Sequence, residues 1–432
     1  MLLAALVGAA VLGAGIATLL ARQRALTTPV RIEVVPASPA VFAGGSVQLR
    51  ARLVGVDAAH APTVSWSVVG PGNVSPDGVY TAGAKSGESA LVVARAGDVS
   101  QAIEVAVRAP PGDVPMLLVA CYEGNMVDVH SLPGLTRSGA LLAPPRAAGI
   151  AVDPARRFAL VAADGAVMAV NLDTMATARS SPVRGARFSG VAGLAGGYFA
   201  ATDNNASKGL PGVFFFRVSE LGVPVLSGSI AAGETPEGIA AEPGGRMFYV
   251  TNVNSNELLR FSFDGRGGAR QTGRATTGTR PYGIALDPAH HLLFVTDNDT
   301  PFLSGKRSSP GLETFALPSL RRVGTPLRTG SKDALPIGVA VDPTAARLFV
   351  TNEGDADVVA YSLPSLHRLA ALPTGRFPWT PRVDSNAARL YVPSADDDRV
   401  DVFDTRTLRV AAPPIATCSY PTNLVVAPKR GR

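Results

Sequence analysis

The chain has 432 residues, 46% of them hydrophobic and only 17% charged, with a net charge of +6. That is enough apolar material for a large core and for two or more domains, while 45 Gly and 35 Pro set between alternating apolar runs indicate many tight turns rather than disorder. The 35 Arg and 5 Lys are scattered and no basic block carries interleaved aromatics, which argues against a nucleic-acid partner.

Residues 1–20, "MLLAALVGAAVLGAGIATLL", are apolar throughout and long enough to cross a bilayer. They also read as a secretory signal, although no basic region precedes them. Arg22 and Arg24 follow, and the positive-inside rule would hold them in the cytoplasm, against the extracytoplasmic look of what comes after. The expectation is that residues 1–24 form a signal peptide or membrane-anchor helix and are the only membrane contact. The rest of the chain is then periplasmic, surface-exposed or secreted.

Residues 31–108 hold about seven short alternating stretches, with Trp66 of "TVSWSVVG" placed as a core aromatic. That density of strands predicts a β-sandwich. The phrases "AGGSVQL", "VSWSV" and "DGVYTA" resemble the bacterial Ig-like domains (group 2), which implies a spacer or adhesion module over this segment. "APPGDVP" at 109–115 is a Pro-rich, stiff linker.

From Met116 to the C-terminus a repeat emerges. "GIAVDPARRFALVAAD" at Gly149, "GIAAEPGGRMFYVTN" at Gly238, "GIALDPAHHLLFVTD" at Gly283 and "GVAVDPTAARLFVTN" at Gly338 are clear copies. Weaker ones start at Gly190 and Thr380, and a half-copy, "TNLVVAP", starts at Thr422. Each unit reads as strand, Asp-Pro turn, strand, polar loop, strand, "SLP" turn, strand. Four short strands every ~45 residues is the pattern of a propeller blade. The stretch beginning "MLLVACYEGNMVDVHSLPG" lacks a first strand and the C-terminal half-copy supplies one, so a composite blade closes the ring. Six internal blades and this one predict a seven-bladed β-propeller over 116–432, and closure leaves no sheet edge exposed. The overall class is all-β. "FYVTN", "LFVTN" and the Asp-Pro turns resemble the YVTN-type and lactonase-like seven-bladed propellers, and the resemblance implies hydrolysis of sugar lactones as one activity.

Strand directions put the loops between blades and the loops after second strands on one face, the mouth. The propeller histidines, His130, His290, His291 and His367, all fall on the other face, so no histidine-based triad or metal site is expected at the mouth. Acidic stretches follow several second strands: Asp297 and Asp299; Glu353, Asp355 and Asp357; Asp396, Asp397, Asp398 and Asp401. Such clusters suit Ca²⁺, but the spacing is not that of an EF-hand and turn-capping accounts for them, so no cofactor is expected.

The inter-blade loops carry Arg146, Arg187, Glu237, Arg280, Tyr282, Arg376, Trp379 and Tyr420, which form the candidate ligand site. Arginine forks suit carboxylate or phosphate and aromatic faces suit sugars, so the expected partner is a small anionic or carbohydrate ligand, or a protein. The four arginines are expected to converge on one central cavity. The functional reading is an exported, possibly tethered binding propeller on an Ig-like spacer. Its rivals are a lactonase-like hydrolase and a structural adhesion protein. The two cysteines, Cys121 at the end of a second strand and Cys418 before the closing strand, both face the mouth and are expected to be disulfide-bonded in an oxidising compartment.

Overall fold

The computed structural model describes residues 31–427 apart from 38, 58, 60, 154, 156, 208 and 299–310. The segment 1–24, His60 and Asp299 lie outside the described residues. No helix among those described is long and apolar enough to cross a membrane. The chain divides into two compact units between Ala109 and Pro110.

The first unit contains nine strands between Arg31 and Arg108. Val99–Arg108 pairs antiparallel with Ser89–Ala96 and parallel with Ala40–Phe42, and Ser89–Ala96 pairs in turn with Ser65–Val69. Arg31–Val35 pairs with Arg50–Val54, and Val79–Thr81 lies between Ser46–Gln48 and Asn73–Val74. Its fully buried aromatics are Tyr80 and Phe42. Trp66 is only part-buried; its indole covers Gly78, where an added Cβ would stand 2.9 Å from it.

The second unit is a seven-bladed propeller. Blades I to VI begin at Ile150, Phe188, Pro236, Pro281, Pro336 and Arg382, and each pairs four consecutive strands in order. Blade VII is composite. Its innermost strand is Pro421–Ala427, paired antiparallel with Met116–Cys121, which is followed by Met126–Ser131 and Thr136–Leu142. Second strands such as Arg347–Asn352 ("RLFVTN") are apolar on both faces because each blade packs between two others. Leu348 and Val350 join a cluster with Val339 and Ala285, whereas Phe349 faces Leu390 and Val392 of the next blade.

The repeated Gly and Thr form a staple between blades. In blades II to V the Thr near the end of the second strand, preceded by Ala in blade II and by Val in the others, is fully buried. It accepts from the backbone N–H of the repeat Gly in its own blade: Thr202 from Gly190 (2.8 Å), Thr251 from Gly238 (3.0 Å), Thr296 from Gly283 (2.8 Å) and Thr351 from Gly338 (3.0 Å). Each hydroxyl then donates to a carbonyl of the next blade, on its innermost strand at Glu237 (2.8 Å), Tyr282 (2.8 Å) and Ile337 (3.0 Å) and just before that strand at Trp379 (2.8 Å). The Gly is required by this approach, since a Cβ at Gly190, Gly238 or Gly283 would stand 2.4, 2.1 or 2.5 Å from that same neighbouring carbonyl.

At the ring seam the Thr is replaced by Pro393, Ala120 and Ala162 in blades VI, VII and I. Other bonds take over. Arg382 Nε donates to Leu424 O (3.1 Å) across blades VI and VII, and Thr422 Oγ1 donates to Ala148 O (3.1 Å) across VII and I. Cys121 and Cys418 form a disulfide with Cα atoms 5.8 Å apart, tying the ring where its two chain ends meet and indicating an oxidising compartment.

Two outcomes follow. Gly283→Ala should lower stability by about 2–3 kcal/mol, because the backbone carbonyl it strikes cannot swing away. A denaturant midpoint within error of the parent protein would show that the innermost strands tolerate separation. Reducing the disulfide should also lower the midpoint, by up to about 5 kcal/mol on the loop-entropy model for so long a loop. Equal midpoints with and without reductant would mean that packing alone seals the seam.

Candidate functional site: the channel mouth

The innermost strands enclose a cavity of about 940 Å³ that runs from Tyr122, Glu237, Tyr282, Trp379 and Tyr420 at the mouth to Pro243, Gly245 and Pro288 at the far end. Two residue rings shape it. The second position of each innermost segment supplies Ala148, Ser189, Glu237, Tyr282, Ile337, Trp379 and Thr422 at the mouth. Three residues further along, the ring is Ala151, Ala192, Ala240, Ala285, Ala340, Arg382 and Val425. In blades II to V a register shift at the Gly step, between the two rings, resets the strand alternation so that residues three apart both face the channel, and the close approach at that step favours small side chains just beyond it. Arg382 is the single large residue of the inner ring.

Of the expected site residues, Glu237, Tyr282, Trp379 and Tyr420 line the cavity, and Arg146, Arg187, Arg280 and Arg376 do not. The expected convergence of the four arginines is therefore corrected. Arg146 pairs with Asp164 (3.1 Å) and lies over the Tyr122 ring. Arg376 pairs with Asp397 (2.8 Å) with its side chain 70% exposed. Arg187 is exposed, its backbone N–H held by Asp203 (2.7 Å). Arg280 stays nearest the mouth, its guanidinium 5.9 Å from the Tyr282 ring centroid, where its charge acts on Glu237. The reason is local. Arg146 and Arg280 occupy left-handed backbone (φ 57° and 58°) just before the innermost segment, as do Thr235, Leu335, Phe377 and Tyr420. That turn sets the outer rim, and the wall begins two residues later.

The acidic stretches hold these turns in place. Asp397 and Asp398 accept from the backbone N–H of Arg376 (2.9 Å) and Tyr420 (2.8 Å), Asp355 from Ser331 (2.7 Å) and Asp401 from Gly375 (2.8 Å). Among the described residues no group of three or more His, Cys, Asp or Glu is placed to hold a metal ion. His130, His290 and His367 sit in or beside strands and turns of the opposite face, and His290 Nδ1 is 2.6 Å from Asp287.

The mouth is aromatic on one side and carboxylic on the other. Tyr122, Phe377, Trp379 and Tyr420 form a linked cluster with centroids 6.2–6.3 Å apart. Burial pushes the Tyr282 hydroxyl up to about 12, helped by the negative charge of Glu237. Glu237 accepts from Ser189 Oγ and from Asn204 Nδ2 (3.2 Å), and burial raises its carboxyl against those bonds. Glu353 is pushed up to about 7, first by burial and then by Asp396, and its charge reaches both Tyr282 and Tyr420. Arg382, Asn204 and Ser189 were not singled out from sequence, and Glu353 was read there only as part of an acidic loop. Arg382 was findable, as the one charged residue at a position where five other copies have Ala.

No family model and no curated protein matches the chain. Solved structures do match its propeller. A putative 6-phosphogluconolactonase from Bacteroides uniformis aligns at a TM-score of 0.60 and 14% identity, over 73% of this chain and 99% of that one. A periplasmic gluconolactonase from Pseudomonas aeruginosa aligns at 0.59 and 13%, over 73% and 100%. The hydrazine synthase of Kuenenia stuttgartiensis aligns at 0.54 and 16%, over 70% and 94%. At such identities the likeness establishes the fold alone, a β-propeller.

Glu353 gives a pH test. Its folded pKa of about 7 lies above the ordinary 4.5, so its neutral form is favoured in the folded state. Its stabilising share is complete below pH ~4.5 and is lost as pH rises through ~7. Glu353→Gln should flatten that fall and raise stability at pH 8 by about 1–2 kcal/mol, a figure discounted for partial exposure. Parallel pH–stability curves for the two proteins would place the carboxyl in water instead.

Proposed function

We propose that the chain is an exported propeller that binds a small polar ligand in its channel mouth, with the N-terminal all-β unit as an Ig-like spacer. The observation that carries this reading is the mouth ring. Glu237, Ser189 and Thr422 offer hydrogen-bonding groups, and Tyr282 and Trp379 offer flat faces, to one open cavity large enough for a sugar-sized molecule. A carboxyl held by Ser189 and Asn204 at the mouth offers oriented oxygens to a hydroxyl-rich ligand.

A second reading, opening of a sugar lactone, is favoured by Glu353, which does not line the cavity but whose charge reaches Tyr282 and Tyr420 at its mouth. A carboxyl titrating near 7 can take a proton from an attacking water and return it to the leaving oxygen. Two of the similar folds belong to a putative 6-phosphogluconolactonase and a periplasmic gluconolactonase.

Calorimetric titration with gluconate, alongside proton release from glucono-δ-lactone, separates the readings. Binding predicts a saturable heat that Trp379→Ala weakens about tenfold or more, the scale of losing an aromatic anchor, with lactone opening at the uncatalysed rate. Lactone opening accelerated by the parent protein and abolished by Glu353→Gln would replace binding with hydrolysis. A protein that binds neither compound and is indifferent to Trp379→Ala would defeat both.

A further inference from the structure

We infer that Arg382 is an anion anchor inside the channel, and that the ligand therefore carries a carboxylate or phosphate group pointing down the axis. The inference rests on the channel being the ligand site and names the charge that ligand must have.

Arg382 stands on the innermost strand of blade VI, at the level where the neighbouring blades present Ala285, Ala340 and Val425. Its side chain lines the cavity, so its remaining exposure is to the channel. Two of its nitrogens are used: Nε donates to Leu424 O (3.1 Å) and Nη2 reaches Asn423 Oδ1 (3.5 Å). Both acceptors are neutral. Nη1 makes no hydrogen bond with any described residue. Among the described residues no carboxylate compensates the charge, and burial pushes the guanidinium down from its ordinary value.

A stitch between blades does not by itself call for this residue. In blades II to V a Thr hydroxyl joins neighbouring innermost strands and buries no charge. Burying a guanidinium without a counter-charge is costly, and proteins keep such a group where something anionic completes it. The Nε and Nη2 bonds fix the plane of the fork, which leaves Nη1 as a preset donor toward an oxyanion. The other charged groups of the cavity fit this arrangement. Glu237 is at the mouth and Glu242 is engaged by the Tyr249 hydroxyl (2.5 Å), so neither neutralises Arg382. At the rim Arg146 and Arg376 are paired with loop carboxylates and the charge of Arg280, over the Tyr282 ring, acts on Glu237, whereas Arg382 has no acidic neighbour among the described residues. A ligand bridging the two levels would place hydroxyls and a ring face at Glu237 and Trp379 and its acid group at Arg382.

The test uses the full chain at fixed ionic strength. Gluconate and sorbitol, an acid and a neutral polyol of the same length, are titrated into the parent protein, Arg382→Met and Trp379→Ala. Acetate and inorganic phosphate are added as competitors. The expected result is that gluconate binds more tightly than sorbitol and that Arg382→Met weakens gluconate about 30-fold or more while leaving sorbitol unchanged, the scale of a charge-assisted pair lost from a desolvated site. Competition by acetate then points to a carboxylate ligand and competition by phosphate to a phosphate ester; either supports the anchor. Equal affinity for gluconate in parent and Arg382→Met overturns it, as does sorbitol binding as tightly as gluconate, or no response to any of the three anions. Gluconate binding that needs Trp379 but not Arg382 defeats the anchor and leaves the mouth site standing; binding that needs neither defeats both. If Arg382→Met fails to fold because the VI–VII stitch is lost, the parent protein still decides. The guanidinium nitrogen signals of Arg382, assigned through Arg382→Lys, should shift with gluconate and not with sorbitol, and their constancy in both would overturn the inference.

Discussion

Everything at the centre of this molecule depends on how closely adjacent innermost strands approach. A buried Thr hydroxyl accepts from a Gly N–H in its own blade and donates to a carbonyl of the next. One side chain thus satisfies two backbone groups that water cannot reach, which is what makes the contact worth keeping in every copy that has it. The Gly is the other half of the device, because any Cβ there would occupy the space of the neighbouring carbonyl. The narrow spacing that results leaves room mainly for small side chains at the next inward position, and five of seven copies have Ala.

The staple is missing over blades VI, VII and I, and there the ring uses other means. The chain ends meet in blade VII, where closure depends on a strand contributed from some 300 residues away, and the Cys121–Cys418 bond secures it. Arg382 and Thr422 make the cross-blade bonds that Thr makes elsewhere. The same sector carries Tyr122, Phe377, Trp379 and Tyr420. The departures from the repeat are therefore not dispersed. They gather on one side of the channel, where the scaffold has been relieved of the staple and larger, more chemical side chains have replaced it.

The electrostatic arrangement has two levels. At the rim, Arg146 and Arg376 are matched by loop carboxylates and remain wet, so they contribute little beyond holding turns. Inside, solvent is scarce and each charge feels its surroundings strongly. Glu237 and Glu353 lean toward their neutral forms, and Arg382 bears a positive charge without an acid beside it. All three shifts have the same leading cause, the loss of water around a charge, and each pushes its group toward the neutral form.

The sequence by itself determined the ring. Gly, Asp-Pro and "VT" at a ~45-residue period specify strands, turns and blade count through local rules, and the half-copy at Thr422 specifies how the ring closes, so blade VII and the disulfide were both legible. It also placed Glu237, Tyr282, Trp379 and Tyr420 at the mouth, because strand direction follows from turn positions. What it did not decide was which side chains of the inter-blade loops face inward. Arg146 and Arg280 sit in left-handed turns that set the rim, one step before the wall. Only the tertiary structure paired Arg146 with Asp164 and Arg376 with Asp397, and only it revealed Arg382 beneath them. The burial of Glu353 and Glu237, which moves their protons, likewise comes from neighbours in other blades, and a period read along one chain says nothing about the distance between charges that the ring brings together.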